Sequence, residues 1–420
     1  MVQTEGQSKV RLGVIGLGDR GRSLLNNLLN MDEVEIMAVC DSYEDRMQMT
    51  MELVEAAGRK RPEALRDYKD VLARNDVDGV IISTSWTSHI EIAIEAMKAG
   101  KYVGSEVGGA ASLEECLELV RTSEATGVPC MLLENCCYGR EEMTLLNMVK
   151  KGIFGQLVHC QGGYEHDVRE AVAKGRENRN GCIDHYVKRN ADTYPTHGLG
   201  PVAKYLGINR GNQFMTLTSM ASKSQGLKQW IKQNLDKEHP MAEMDIAQGD
   251  IITTMIKCAN GETILLVHDT TLPRPYSRNG RVQGTSGIWM EDNQSIYIEG
   301  KSVNHSWEPF DNYRSEYEHP LWKEFIEKGV QGGHGGMDYL CLRAFVESIQ
   351  LGIEPPIDVY DMAAWKAVTV LSEQSIALGS HPVSFPDFTK GKWTHRSPAP
   401  SSKYSLDQID ETNFRDIWSK

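Results

Sequence analysis

VRLGVIGLGDRG, residues 10–21, decides how the chain is read. Residues 10–15 are a short apolar run of strand type. Gly16, Gly18 and Gly21 follow as G-x-G-x-x-G, and Leu24, Leu25, Leu28 and Leu29 then recur at helical spacing. The glycines therefore fall where a strand turns into a helix. Gly16 permits the tight turn, Gly18 lets the backbone approach a pyrophosphate, and Gly21 lets helix and strand pack closely. The free N–H groups and positive dipole end of the helix suit the phosphates. A second strand over residues 34–40 ends at Asp41, an acid placed for a ribose 2′-hydroxyl and repulsive to a 2′-phosphate. A glycine-rich turn without a ligand is the competing reading of the glycines alone. Strand, helix, second strand and Asp41 in that order favour a dinucleotide site, and NAD over NADP.

The chain has 420 residues, nine cysteines and a formal net charge of −13. That length predicts two domains with ample core. We expect residues 1–137 to bind the cofactor and residues 138–420 to bind substrate and mediate oligomerisation. The negative charge argues against a nucleic-acid or anionic-membrane partner, and no apolar run is long enough to span a bilayer. The opening MVQTEGQSKV is polar and lacks the apolar core of a signal peptide. The cysteines are odd in number and have no C-x-x-C spacing, so folding in a reducing compartment is expected rather than a disulfide framework. No H-E-x-x-H or paired Cys/His pattern occurs, so no metal is implied.

The first half alternates strands and helices, the pattern of a parallel sheet covered by helices. Strands are expected at residues 80–83, 102–105 and 129–134, and helices at 90–99 and 113–126. In such a sheet the ligand lies beyond the carboxyl ends of the strands. Asp41, Trp86, His89, Glu106, Val107 and Asn135 then surround one crevice. Trp86 as core and His89 as a helix-start polar residue remain alternatives. After Asn135 the pattern changes. A helix over 138–151 leads to a strand at 157–164, and charged sequence at 170–192 reads as a long loop, usually functional in a compact domain. A strand at 214–221 follows, then hairpins at 251–268, around Asn260-Gly261, and at 287–299. Helices at 337–351 and 359–377 come last. The fold class is thus α/β: an N-terminal Rossmann NAD-binding domain and a C-terminal α+β domain with an open, mostly antiparallel sheet. The exposed face of that sheet needs covering, which predicts a homodimer or higher homo-oligomer.

Candidate chemistry lies outside the nucleotide half. Tyr194-Pro195-Thr196-His197-Gly198-Leu199-Gly200-Pro201 offers a phenol and an imidazole to one point. A tyrosine of lowered pKa, or a histidine, can take a hydroxyl proton while hydride leaves the same carbon. A structural turn with a surface histidine is the alternative. Tyr164 and His166 form a second pair at a strand end, where alternate residues share a face. Tyr276, in the LPRPYSR loop, and His334, in Gly332-Gly333-His334-Gly335-Gly336, are single candidates; the latter suits a lid or plain surface.

An NAD crevice followed by an open-sheet domain resembles the glucose–fructose oxidoreductase and inositol dehydrogenase type of sugar enzyme. Those enzymes carry Glu-Lys-Pro at the end of the fifth strand, where this chain has Glu106-Val107-Gly108, and an Asp four residues before a His, where it has Thr193. Both departures speak against simple dehydrogenase chemistry. Over nearly its whole length the chain is similar instead to the NAD-dependent glycosidases of glycoside hydrolase family 109, best known as α-N-acetylgalactosaminidases. The matching words are GLGDRG, Glu106-Val107, LLENCCYGREE, Tyr164-Glu165-His166, YPTHGLGP, LPRPYSR and HGGMDY. A Trp-Arg pair often found before YPTH in the family, its Arg contacting substrate, falls here near Gly181-Cys182.

Carried over by position, the resemblance implies that Gly16, Gly18, Asp19, Arg20, Gly21, Asp41, Trp86, Thr87, Ser88, His89, Glu106, Val107 and Asn135 line the NAD site. Tyr164, His166, Tyr194, Pro195, Thr196, His197 and Tyr276 would line a sugar site, with His334 beside it. The implied reaction oxidises the sugar C3 hydroxyl, eliminates the aglycone across C1–C2, adds water and re-reduces C3, without consuming NAD. Tyr164 is expected to be the C2 base, with His197 and Tyr194 at the C3 hydroxyl. This would explain the absence of paired carboxylates. The substrate would be a glycan or glycoside ending in N-acetylhexosamine, foremost N-acetylgalactosamine. An NAD-linked sugar dehydrogenase and a non-catalytic NAD-binding sensor are the rival readings. By analogy with the family's exported members the protein would be periplasmic or secreted, and cytoplasmic otherwise.

Overall fold

A computed structural model describes residues 9–181 and 183–414. The polar opening residues 1–8 and Cys182, on which two sequence expectations fell, lie outside them. The chain first lays down β1 (Val10–Ile15), α1 (Asp19–Leu29), β2 (Val34–Cys40), α2 (Glu44–Ala56), β3 (Glu63–Leu65), α3 (Tyr68–Leu72), β4 (Gly79–Ile82), α4 (His89–Lys98), β5 (Tyr102–Ser105), α5 (Leu113–Thr126) and β6 (Cys130–Leu132). The six strands are parallel in the order β3-β2-β1-β4-β5-β6. Chain order reverses between β1 and β4, so a crevice opens there at the carboxyl ends. All four residues of β4 are buried, as expected for a strand covered on both faces.

The second half begins with α6 (Arg140–Lys150) and β7 (Leu157–Glu165). Two short helices, α7 (Arg169–Ala173) and α8 (Ile183–Lys188), follow where the sequence suggested only loop. Their apolar residues Val172, Ala173, Ile183 and Tyr186 join Leu227 and Ile231 in a small core of their own. That tertiary burial was invisible in a charged stretch. Next come α9 (Thr196–Tyr205), β8 (Phe214–Ala221), α10 (Gly226–Asn234), β9 (Ile251–Cys258), β10 (Thr263–Asp269), β11 (Arg281–Gly284), β12 (Gly287–Met290), β13 (Ser295–Ile298), β14 (Glu308–Pro309), α11 (Asp311–Tyr317), α12 (Pro320–Glu327), α13 (Met337–Leu351), α14 (Val359–Ala377) and β15 (Val383–Ser384). The nine strands form one sheet in the order β14-β13-β12-β11-β7-β10-β9-β8-β15. Only β10 and β7 pair in parallel; the other neighbours are antiparallel. The fold class is therefore α/β, with a Rossmann sheet and a mostly antiparallel second sheet.

Strand alternation gives this second sheet two unlike faces. Ile252, Thr254 and Ile256 of β9 are buried, whereas Thr253, Met255 and Lys257 are exposed. Met255 lies opposite Thr218 and Leu265, so Met220, Met255 and Leu265 share the outer face. Met220 is 62% and Met255 42% exposed there. The inner face packs against α9 and α14. No helix among the described residues is long and apolar enough to cross a membrane.

The turn expected at YPTHGLGP is the first turn of α9, which follows Pro195. Gly198, Gly200 and Pro201 lower helix propensity and hide the helix in the sequence. The glycines serve contact instead: a Cβ on Gly198 would lie 2.2 Å from the nitrogen of Gly163. Helix backbone thus rests directly on β7, and His197 is set down next to Tyr164.

Candidate active site

The β1–α1 turn has the shape a dinucleotide needs. Gly16 has φ +91°, and a Cβ there would meet the Ser83 backbone at 2.6 Å. A Cβ on Gly21 would lie 2.0 Å from the Gly16 carbonyl oxygen. Around Gly18, by contrast, the nearest atom to such a Cβ is 3.8 Å away, which leaves room for a phosphate against the backbone. No side chain caps α1 at Gly18, so its first N–H groups are available to an anion. These features fit NAD. Asp41 is buried and accepts hydrogen bonds from the backbone N–H of Leu17 (2.7 Å) and Tyr43 (2.9 Å). Those bonds fix the carboxylate at the end of β2.

Arg20 ties the two halves together. Its guanidinium donates to Glu106 (2.8 Å) and to both oxygens of Asp338 (2.7 and 3.0 Å). Burial opposes its charge, but Glu106 and Asp338 outweigh burial and raise its pKa. Asp338 also accepts from Asn135 Nδ2 and from His334 Nδ1, each at 2.7 Å. Asp338 itself escaped the sequence reading, although it stands one helical turn beyond His334. The structure thus places His334 with Arg20 and Asp338 rather than against the ring cluster proposed for the sugar. Asp19 pairs outward with Arg22. Val107 donates its N–H to Glu106 Oε2. Thr87 and Ser88 sit in a single 3-10 turn with Trp86. His89 is buried, its Nε2 bonds the Thr84 carbonyl, and burial with the nearby Lys366 charge pushes its pKa down to about 3.

The second cluster forms where expected. Tyr164, Tyr194 and His197 meet about one point, tilted or edge to face, with ring centroids 4.5 Å (Tyr164–Tyr194), 4.9 Å (Tyr194–His197) and 5.6 Å (Tyr164–His197) apart. His166 Nδ1 lies 3.0 Å from the Tyr164 hydroxyl, and Tyr276 meets His166 at 5.1 Å. Trp86 touches Tyr194 at 5.3 Å, so the cluster begins at the rim of the NAD crevice. Pro195 caps α9, and Thr196 is fully buried beside Glu134. Burial and the neighbouring Tyr164, Glu106 and Glu134 push the Tyr194 phenol well above its ordinary value. The shift runs opposite to the lowered pKa that the sequence allowed for a tyrosine base.

Two functional neighbours went unread in the sequence. Glu134 is fully buried and accepts from His197 Nδ1 at 2.7 Å and from the Cys136 N–H at 3.1 Å. Burial opposes the His197 cation, but Cys136 and Glu134 outweigh it and raise the imidazole pKa well above its usual value. Glu134 keeps its own charge despite burial because His197 faces it. Arg278 approaches Tyr276 Oη (3.5 Å) and Cys136 Sγ (3.8 Å) and pairs with Glu142. Each also has partners far away in the chain, His197 for Glu134 and Cys136 and Glu142 for Arg278, which no spacing in the sequence reveals. All eight described cysteines are buried and unpaired.

The segment between β7 and α9 crosses back over the nucleotide half. Arg179 pairs with Asp45 (2.6 Å), its guanidinium lies over the Tyr43 ring at 4.5 Å, and His185 packs on Trp86 at 4.9 Å. Gly181 lies beside Ser85. Cys182, near which the family's substrate-contacting Arg would fall, is outside the described residues.

Comparison with known proteins separates the two halves. Residues 10–133 match the oxidoreductase family with an NAD-binding Rossmann fold. Residues 138–395 match the glycosyl hydrolase 109 C-terminal domain. The chain belongs to glycosyl hydrolase family 109. A glycosyl hydrolase family 109 protein of Stenotrophomonas maltophilia is 45% identical over 414 residues, covering 93% of this chain and 91% of that protein. An alpha-N-acetylgalactosaminidase of Tannerella forsythia is 43% identical over 413 residues, covering 93% and 88%. Among solved structures, levoglucosan dehydrogenase in complex with NADH and levoglucosan covers 90% of this chain and 100% of its own at TM-score 0.70, with 17% identity. That likeness is one of fold. The family 109 chain is an NAD-dependent glycoside hydrolase whose substrate class is glycans.

Proposed function

We propose that this enzyme removes terminal N-acetylhexosamine, foremost N-acetylgalactosamine, by oxidation at C3, elimination across C1–C2, water addition and reduction. The observation that carries the reading is the meeting of Tyr164, Tyr194 and the Glu134–His197 pair at the rim of the nucleotide crevice. We take residues 1–137 as the cofactor-binding part and 138–420 as the substrate and assembly part. Gly16–Gly21, Asp41, Trp86–His89, Glu106, Val107 and Asn135 are the residues we assign to NAD, His89 through the backbone it fixes. Bound NAD supplies a hydride acceptor for C3 and, after release of the aglycone, the hydride donor that restores it. His197 Nδ1 is engaged by Glu134, which leaves Nε2, in the unprotonated ring, to take the C3 hydroxyl proton as hydride leaves and to return it on reduction. Tyr194 donates to the same oxygen. A carbonyl at C3 acidifies the C2 proton, and Tyr164, backed by His166, takes it. His166, Tyr276, Pro195 and Thr196 shape the sugar site. His334 acts from the cofactor side, through Arg20 and Asp338.

The test is nitrophenol release from α- and β-linked N-acetylgalactosaminides and N-acetylglucosaminides, using cofactor-stripped enzyme with and without NAD⁺. The expected result is release that requires NAD⁺ with no net NADH. Release independent of NAD⁺ overturns the mechanism, and net NADH from free sugar establishes a dehydrogenase. The apolar outer face around Met220 and Met255 is assigned to a second copy of the chain. Sedimentation is expected to give a dimer or higher assembly, weakened by Met255→Glu; a monomer at all concentrations excludes that assignment.

A further inference from the structure

Cys136 takes no part in the chemistry above, yet its thiol stands beside the histidine that does. Ligand atoms of Glu134, Cys136 and His197 all lie within 4.8 Å of one another. One carboxylate, one thiol and one imidazole on a rigid, buried frame is a donor set suited to zinc, which takes S, N and O ligands in tetrahedral geometry. The frame is stiff for reasons already described: Glu134 accepts the Cys136 N–H, and α9 is pinned to β7 through Gly198 and Gly163. The positive neighbour, Arg278, is neutralised by its pair with Glu142. The sequence pattern carried no trace of the trio, since Glu134 and Cys136 end one half and His197 opens a helix in the other.

We propose that Glu134, Cys136 and His197 form a binding site for Zn²⁺ that reversibly shuts the enzyme off. Binding replaces the thiol proton and the proton that His197 holds against Glu134: the S–H and N–H bonds break, sulfur–zinc and nitrogen–zinc bonds form, and two protons leave to solvent. His197, once its proton is displaced, supplies a nitrogen lone pair and Glu134 an anionic oxygen, so no oxidant or reductant is involved. The fourth position stays open to water or to a substrate hydroxyl. With its imidazole held by the ion, His197 no longer exchanges a proton with the sugar oxygen, and activity stops until a chelator removes the metal.

Cobalt(II), a spectroscopic stand-in for zinc, tests the site on the NAD-loaded enzyme without turnover. The result is therefore distinguishable from failure of the glycosidase reading. Cobalt is expected to produce a thiolate-to-metal charge-transfer band that saturates at one equivalent and is bleached by Zn²⁺. Cys137→Ala, at the adjacent buried thiol outside the trio, should keep the band, while Cys136→Ala and Cys136→Ser should lose it with NAD still bound. In the nitrophenol assay, Zn²⁺ should inhibit wild-type enzyme, EDTA should restore it, and either Cys136 variant should need at least about tenfold more Zn²⁺ for half-inhibition. Proton release of about two per zinc bound, read on wild-type protein, holds even where a variant fails to fold. Absence of the band in wild-type protein, or its persistence without Cys136, overturns the proposal.

Discussion

Tyr164→Phe is expected to stop the entry of solvent deuterium at C2 of the released sugar while NAD remains bound. The substitution removes one oxygen and leaves the ring. Packing against Tyr194, His197 and Tyr276 is therefore retained, and the nucleotide crevice, whose residues Tyr164 does not carry, is untouched. The lost oxygen is the one that stands 3.0 Å from His166 Nδ1, the arrangement needed to pass a proton onward. General base catalysis by a positioned group is worth about 10²–10⁴-fold, so nitrophenol release should fall by that range with little change in KM. Under the proposed order of steps C3 oxidation precedes C2 deprotonation. A single turnover of the variant should then build NADH absorbance that wild-type enzyme does not accumulate. Exchange at C2 that persists in Tyr164→Phe assigns the base elsewhere, with His166 next in line.

The parts of this molecule that were legible in its sequence are those whose physics is local. Strand, glycine turn, helix and acid in the first 41 residues state a nucleotide fold because their spacing is set by the turn itself, in which Gly21 packs on the Gly16 carbonyl. Asn260-Gly261 marks its hairpin for the same reason: register and turn chemistry are settled within a few residues. The Tyr164–His166 pair follows from strand alternation. What stayed hidden depends on partners far away in the chain. α9 is broken by propensity and made by contact with Gly163. α7 and α8 are polar in sequence and bury their few apolar residues against α10. Asp338, 318 residues from Arg20, holds both Arg20 and His334. Glu134 looked like the end of a strand, and its carboxylate gained meaning only when α9 delivered His197 to it.

That last contact carries the second large effect. Glu134→Gln is expected to lower kcat by about 10²–10⁴-fold, the range seen when a histidine loses the carboxylate that orients it, while NAD binding survives. Glutamine preserves the shape and can still accept the Cys136 N–H, so the frame should stand. It cannot offset an imidazolium. In the parent enzyme burial opposes the His197 cation, and Cys136 and the Glu134 charge outweigh burial and lift its pKa. The sign of the pH effect follows. A histidine with a raised folded pKa contributes stability below its unfolded value near 6.5, lost as pH rises through the folded value. Glu134, with a lowered one, contributes above about 4.5, lost as pH falls. The pair is thus worth most between these limits, and Glu134→Gln should destabilise the protein there and least at acidic pH. The limb of the kcat profile that reports His197 should move to lower pH in the variant. A merely structural Glu134 would cost stability and leave that limb in place. An unshifted profile, measured on variant enzyme that still retains NAD, would separate Glu134 from the proton chemistry and leave His197 to act alone.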